Sequence, residues 1–271
     1  MTATDTRTTP PAPVAGGAAE WSPRVMPPVG ADLTERQKLA CAFGILARSG
    51  FTENIAGHIT VRAGDSGAPG GPGDPESLWI NPWGLWWEEI TASDLCRVSP
   101  AGDVLEGRWD VTPAYHIHTE LHRRRPDARV VVHNHPYHAT VLAALGVLPE
   151  FVHQTGSMFD GDLVFVDEYT GEVASSELGA DLADRIGDAS VVLLANHGVI
   201  VTGATVEEAV YRSATLERQC RLTYDVLGRD RTLVPPPLRR AMKASLLERG
   251  TEFFWNGAVR ALLRDRPEVL D

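Results

Sequence analysis

The chain has 271 residues, of which 43% are hydrophobic, and a formal net charge of −11 at pH 7. This charge argues against nucleic acid or an anionic membrane as a partner, because both bind basic patches. No apolar run reaches the ~18 residues that cross a bilayer, and no signal pattern opens the chain, so we expect a cytoplasmic protein.

Segments with helical and strand periodicity alternate along the chain after an N-terminal region that has neither. Residues 1–28 are rich in Thr, Pro, Ala and Gly, which predicts a disordered arm, and 29–271 are treated as one domain. Helices are predicted at 34–49, 112–125, 137–142, 175–186, 206–227 and 238–263. Strands are predicted at 58–62, 78–81, 130–135, 163–166, 191–195 and 198–203, with a hairpin at 98–104. This order predicts an α/β protein, a three-layer α/β/α sandwich with helices on both faces of a sheet.

Two of the predicted strands lead into histidines. The β-branched run 130–132 continues into His133 and His135, which face the same side of a strand because they are two residues apart. A second apolar run, 191–195, leads to His197. One histidine at a strand end is more often a hydrogen-bonded core residue than a ligand. Three neutral imidazoles together can hold a divalent metal and leave positions open for substrate.

A cluster of tryptophans follows the second predicted strand. Trp83, Trp86 and Trp87 lie within five residues of one another. Each one alone is better explained as part of a core or an interface. Together, beside a loop, they can also line an apolar pocket.

The remaining histidines and the cysteines give weaker signals. His118 and His122 lie one helical turn apart, which suits a metal pair but is also common on a polar helix face. Cys41, Cys96 and Cys220 have no paired spacing, which indicates reduced, buried thiols and no thiolate metal site.

Several motifs, taken in order, resemble the class II aldolase/adducin family over about residues 34–228. They are Gly57-His58-Ile59-Thr60-Val61-Arg62, Asn81-Pro82-Trp83-Gly84, His133-Asn134-His135-Pro136 and Asn196-His197-Gly198, followed by Gly203 and Glu207-Glu208-Ala209. The resemblance implies that His133, His135 and His197 are metal ligands. It also implies an α/β/α sandwich and a homotetramer whose sites lie between subunits.

The chain departs from the sugar-phosphate aldolases of this family at the positions that handle phosphate and protons. Their acid/base glutamate aligns with Ala114, whose methyl group cannot move a proton. Their phosphate-binding residues align with Gly57-His58, Thr112-Pro113 and Trp83, which lose small hydroxyl and amide donors. The resemblance therefore implies an apolar, aromatic substrate without a phosphate.

The same departures resemble a branch of the family described as non-haem iron oxygenases of aminocoumarin antibiotic biosynthesis. Those enzymes convert prenylated 4-hydroxyphenylpyruvate, by oxidative decarboxylation, to a mandelate and then to a hydroxybenzoate. The implied cofactor is Fe(II), with Zn2+ or Mn2+ as alternatives. The implied partners are a small aromatic acid, prenylated or not, and O2.

The remaining site residues are assigned on this basis. Substrate-binding residues are predicted to be His58 and the three tryptophans of the 83–87 cluster. Tyr115, His118 and Tyr137 are the candidates for orienting a carboxylate or moving protons, and His118 can also act only by supporting another residue.

Two other functions remain open at this point. The first is a metal-dependent lyase, either an aldolase or a non-oxidative decarboxylase, in which Tyr115 or His118 replaces the missing glutamate. The second is an adducin-like binding module without catalysis. The retention of all three strand-end histidines argues against the module.

Overall fold

The computed structural model describes residues 26–53, 55–64, 76–167, 173 and 175–271. Of the arm predicted at 1–28, residues 1–25 therefore lie outside the described residues. None of the described helices is long and apolar enough to cross a membrane.

One mixed sheet forms the middle of the fold. Its strands in the described ranges are β1 His58–Arg62, β2 Leu78–Ile80, β3 Cys96–Val98, β4 Val104–Glu106, β5 Val130–Asn134, β6 Leu163–Val166, β7 Val191–Leu194 and β8 Val199–Gly203. Their order across the sheet is β4-β3-β2-β1-β5-β8-β7-β6. The pair β6–β7 is parallel, and the other pairs are antiparallel.

Some of the helices begin at capping residues that the sequence supplies. They are α1 Glu35–Arg48, α2 His116–Arg124, α3 Tyr137–Leu145, α4 Ser176–Ile186, α5 Val206–Val226 and α6 Pro236–Asp265. Thr34 forms a capping box with Gln37 before α1, and Thr205 caps α5 through the backbone N–H of Glu208. Helix α6 starts inside the proline run, because a proline at the first helical position sacrifices no helical hydrogen bond.

Alternation along the central strands produces the two cores. Val130 and Val132 of β5 belong to the larger core, with residues of α1, α3, α5 and α6. Val131 points the other way, into a second core with residues of α2 and α4. Each of these valines is essentially fully buried, which stabilises the fold by roughly 1.5–3 kcal/mol per side chain. The predicted three-layer α/β/α sandwich is confirmed.

The same alternation determines where the histidines point. His133 follows Val131 at a spacing of two, so it projects from the sheet on the side of α2. Strand register pairs His133 with His58 of β1 on one side and with Ile200 of β8 on the other. The three cysteines are buried free thiols, as the sequence predicted.

Candidate metal centre

Three histidines converge where β5 ends and where β7 turns into β8. His133, His135 and His197 each offer one ring nitrogen, and these nitrogens lie within 4.8 Å of one another. The ring centroids are 5.0 Å apart for His133–His135, 4.8 Å for His133–His197 and 5.0 Å for His135–His197. The structure therefore brings together all three histidines that the sequence singled out.

Hydrogen bonds orient two of these rings. Nδ1 of His133 lies 3.0 Å from the carbonyl oxygen of Val199, which can only accept, so the proton is on Nδ1 and Nε2 carries the lone pair. Nδ1 of His135 contacts the carboxylate of Glu53. Nε2 of His135 is buried and has no hydrogen-bond partner among the described residues.

The turn between β7 and β8 carries the third ring. Asn196 adopts a left-handed conformation with φ 53°, which asparagine tolerates better than most side chains. Gly198 follows, and a Cβ there would lie 2.4 Å from Cδ2 of His135 and 2.5 Å from the carbonyl oxygen of Asn134. The Asn-His-Gly sequence thus makes the tight turn and leaves room for His135 beside it.

The electrostatic environment keeps two of these rings, His133 and His197, neutral. Burial lowers the pKa of His133 well below its ordinary value. Burial, with a smaller contribution from His135, lowers the pKa of His197 to about 4. Neutral imidazole is the form that binds a metal. The orphaned Nε2 of His135 and the all-imidazole donor set therefore fit a first-row divalent ion such as iron or zinc.

The three histidines lie between two cavities. One has a volume of about 190 Å³ and is lined by His133, His135 and His197 together with His58 and Trp83. The rest of its described lining consists of Ala56, Thr112, Ala114, Ile117 and Val173. The other cavity, of about 460 Å³, shares His135 and His197 and is bordered by Glu53, Tyr137 and Thr140. A ligand held at the histidines can thus extend to either side.

A chain of hydrogen bonds runs from the first cavity into the protein. His58 contacts His118 at 2.5 Å, and His118 contacts the hydroxyl of Thr60 at 2.8 Å. The same hydroxyl lies 2.8 Å from Nε2 of His122, whose Nδ1 lies 2.8 Å from the carbonyl oxygen of Ala128. Burial lowers the pKa of His58 and of His122 to about 3 and holds that of His118 well below its ordinary value.

The tryptophans of the 83–87 cluster have different environments. Trp83 is 50% exposed and lines the smaller cavity. Trp87 is 1% exposed and packs in the larger core against Phe43 and Phe51, with ring centroids 5.0 and 6.2 Å away. The structure therefore does not bring Trp87, a predicted substrate-binding residue, to either cavity. Trp86 is exposed and borders neither cavity, so the structure does not bring it to the histidines.

The three candidates for proton transfer also have different surroundings. Tyr115 donates its hydroxyl to the carbonyl oxygen of Ala101 at 2.6 Å and packs beside the core formed by β2 and β3. It borders neither cavity, so the structure does not bring this predicted catalytic residue to the three histidines. Tyr137 is 68% exposed and borders the larger cavity. His118 is fully buried and reaches the cavity through His58.

Three residues of this centre were given no role in it by the sequence analysis, which considered His122 only as one half of a metal pair with His118. Glu53 lies in a turn-rich loop, and only the folded chain brings it to His135. Thr60 lies on β1 and His122 on α2, and strand and helix must pack before they meet. The alternation of β1 predicts that His58 and Thr60 face the same way, but not what they face.

The chain is similar to known proteins in both sequence and structure. The model of the class II aldolase and adducin N-terminal domain matches residues 37–224, which include all three histidines. Decarboxylase NovR of Streptomyces niveus is 31% identical over 196 residues, which are 70% of this chain and 69% of that protein. The 4-hydroxy-3-prenylphenylpyruvate oxygenase/4-hydroxy-3-prenylbenzoate synthase of Streptomyces roseochromogenus subsp. oscitans is 31% identical over 187 residues, 68% of this chain and 64% of that protein.

One solved structure illustrates the similarity of fold. The L-fuculose 1-phosphate aldolase from Glaciozyma antarctica PI12 superimposes with a TM-score of 0.75 at 24% identity. The alignment covers 92% of this chain and 97% of that chain. At this identity the similarity speaks for the fold alone.

Proposed function

The chain belongs to the class II aldolase and adducin family, and on that premise we propose that it is a non-haem Fe(II)-dependent oxygenase. Its proposed substrate is an aryl 2-oxo or 2-hydroxy acid, prenylated or not, which it shortens by oxidative decarboxylation. One observation carries the proposal. Three imidazoles face a cavity in which no described lining residue bears a carboxylate.

The missing carboxylate separates this site from carboxylate-based proton transfer. Ala114 lines the cavity beside the three histidines, at the position that aligns with the acid/base glutamate of the sugar-phosphate aldolases. Its methyl group leaves that part of the cavity apolar, together with Ile117 and Val173. An aryl group fits these surroundings better than a sugar phosphate does, since no described lysine or arginine lines the cavity.

His133, His135 and His197 would hold the iron, with the first two rings oriented by Val199 and Glu53. When bound, Fe(II) would supply the one-electron chemistry that O2 requires and a Lewis acid for the acid substrate. Trp83 would pack against the aryl group at the mouth of the smaller cavity. Tyr137 would donate a hydrogen bond to the substrate carboxylate from the side of the larger cavity.

The atoms of the proposed reaction balance in two steps. An aryl pyruvate and one O2 give an aryl 2-hydroxyacetate and one CO2. The aryl 2-hydroxyacetate and a second O2 give an aryl carboxylate, CO2 and water. Each carbon lost therefore consumes one O2.

The test is anaerobic purification, reconstitution with Fe(II) and simultaneous measurement of O2 uptake and CO2 release. The substrate panel consists of aryl pyruvates and mandelates, with and without a 3-prenyl group. We expect a ratio of one O2 per CO2, and loss of uptake in His133→Asn but not in His116→Gln, whose ring contacts Ser176 away from the cavities. Undiminished turnover under strict anaerobiosis would refute the oxygenase.

A metal-dependent lyase is the second candidate, and the His58–His118 pair favours it. This pair offers a ring nitrogen at the cavity that can replace a carboxylate in proton transfer. A lyase would cleave or decarboxylate the same acids with Zn2+ or Mn2+ and without O2. The anaerobic experiment above therefore separates the two candidates. A protein that is purified without metal at the three histidines and turns over none of these acids under either condition would instead point to an adducin-like module.

We further propose that the chain forms a homotetramer in the cytoplasm, with sites between subunits, in keeping with the family resemblance. Trp86 and Trp109 are large apolar side chains left exposed on the single chain, which an interface would cover. Light scattering during gel filtration is expected to give four times the mass of one chain.

A further inference from the structure

The hydrogen-bond chain behind the smaller cavity has one fixed end. Nδ1 of His122 lies 2.8 Å from the carbonyl oxygen of Ala128. A carbonyl oxygen can only accept, so His122 carries its proton on Nδ1, and its neutral Nε2 is an acceptor. This bond determines which atom donates and which accepts, the polarity, in each of the other hydrogen bonds that link His122 to His58.

The hydroxyl of Thr60 transmits that polarity. It lies 2.8 Å from Nε2 of His122 and must donate its single hydrogen there. Its oxygen can then only accept from His118, whose Nδ1 lies 2.8 Å away. His118 is therefore protonated on Nδ1, and its Nε2 accepts at 2.5 Å from Nδ1–H of His58. Nε2 is the ring nitrogen of His58 that remains for the cavity, and it is an acceptor.

We propose that the His122–Thr60–His118 chain holds His58 as a hydrogen-bond acceptor in the cavity, and that His58 thereby selects a substrate that donates a hydroxyl. This inference rests on the proposed function and names the preferred class within it, the aryl 2-hydroxy acid. A substrate hydroxyl whose oxygen is directed at the three histidines' metal has its hydrogen left to donate. His58 lies beside those histidines, with its ring centroid 5.0 Å from that of His133.

Thr60 and His118 are positioning residues in this arrangement, and Thr60 is the one that can be tested cleanly. A hydroxyl donates and accepts at the same atom, which an alkyl group of the same shape cannot do. In Thr60→Val the Nδ1–H of His118 would be buried without an acceptor, at the cost of a lost hydrogen bond. His118 then gains by moving its proton to Nε2 and donating to His58, which reverses the tautomer of His58. Thr60→Ser keeps the hydroxyl and the polarity.

The first experiment reads the tautomer directly. Solid-state 15N spectra of protein labelled at its nine histidines distinguish protonated from bare ring nitrogens, and His58→Gln identifies the His58 signals by their loss. The spectra are recorded on the protein as purified and after addition of Zn2+, which is diamagnetic. We expect His58 protonated on Nδ1 in the wild type and in Thr60→Ser, and on Nε2 in Thr60→Val. A wild-type His58 protonated on Nε2 overturns the proposal, even if neither Thr60 variant folds.

The second experiment measures selectivity by equilibrium binding to the Zn2+-loaded protein, in which no oxidation occurs. The ligands are 4-hydroxymandelate and 4-hydroxyphenylacetate, which differ by one hydroxyl. We expect Thr60→Val to reduce the preference for the mandelate by about three- to tenfold, the equivalent of one neutral hydrogen bond, and Thr60→Ser to restore it. An unchanged preference in Thr60→Val refutes the selective role. Absence of O2 uptake in the reconstituted protein would refute the oxygenase and leave the 15N result as it stands, so the two failures are distinguishable.

Discussion

The carboxylate of Glu53 contacts Nδ1 of His135, and Nε2 of the same ring is buried with no hydrogen-bond partner in the described part of the chain. A carboxylate in this place fixes the ring's tautomer and orientation and makes Nε2 a better ligand. The contact joins a loop before β1 to the end of β5, so it forms only when the sheet does.

We expect Glu53→Gln to weaken metal binding by about 10–100-fold, the usual effect of losing such a supporting carboxylate. The amide keeps the shape of the side chain but removes the charge that favours Nδ1–H. Competition titration of the protein with a chromogenic chelator measures the change. Glu88→Gln, at an exposed position, is the matched control and should retain wild-type affinity. Equal affinities in the two variants would show that Glu53 does not support His135.

Stability should fall as the solution becomes more acidic, because the buried histidine chain is neutral in the folded protein. Burial is the main cause that lowers the pKa of His58 and His122 to about 3, and it lowers the pKa of His118 as well. In the unfolded chain the pKa is about 6.5. Below pH 6.5 the unfolded chain therefore binds more protons, and the free energy of unfolding decreases until the folded values are reached.

The expected slope is on the order of 1 kcal/mol per pH unit for each ring. Urea unfolding at pH 7 and pH 5, with a chelator present to remove metal linkage, measures it. His122→Asn removes one of the rings and should make the dependence shallower. A free energy of unfolding that is the same at both pH values would contradict neutral burial of this chain.

How far the centre could be predicted depends on where the local pattern ends. Strand 130–134 opens with three valines and strand 191–194 is apolar throughout. The two-residue repeat of the first strand carries directly into His133 and His135. Tyr115 lies beyond such a pattern. It belongs to a 3-10 turn, Pro113–Tyr115, in which Ala114 has non-helical angles. The direction in which its side chain points therefore cannot be extrapolated from the helical periodicity of α2.

The tryptophan cluster lies in a loop with no repeat, and sequence alone could not tell which ring is buried. The structure shows that Trp87 is buried and Trp83 is half exposed. Substitutions of these two residues should therefore differ in their effect on stability. Trp87→Ala should lower the free energy of unfolding by about 3–5 kcal/mol, since Trp87 is buried and its Nε1 donates to the carbonyl oxygen of Gly57 at 3.1 Å. Trp83→Ala should change it by about 0.5 kcal/mol or less, because half of that side chain is exposed.

For ligand affinity the order should be reversed, with the larger effect at Trp83 and the smaller at Trp87. Trp83→Ala is expected to weaken binding of an aryl acid by removing a wall of the smaller cavity. Trp87→Phe, which keeps the core largely filled, should bind the acid as the wild type does. Urea unfolding and equilibrium binding together test the pair, and a Trp83→Ala variant with wild-type affinity would remove Trp83 from the proposed aryl site.

Ala114 offers a test of the charge at the cavity. It lines the cavity together with the three histidines, so a carboxylate placed there would meet both the metal and an anionic substrate. Two like charges about 4 Å apart repel by roughly 4 kcal/mol at the effective dielectric of a partly exposed site. Ala114→Glu is therefore expected to retain metal but to bind an aryl acid at least about tenfold more weakly than Ala114→Gln does. The glutamine variant has nearly the same volume, so the difference between the two isolates the charge from the loss of space. Equal affinities in the two variants would mean that a side chain at 114 does not approach the bound carboxylate.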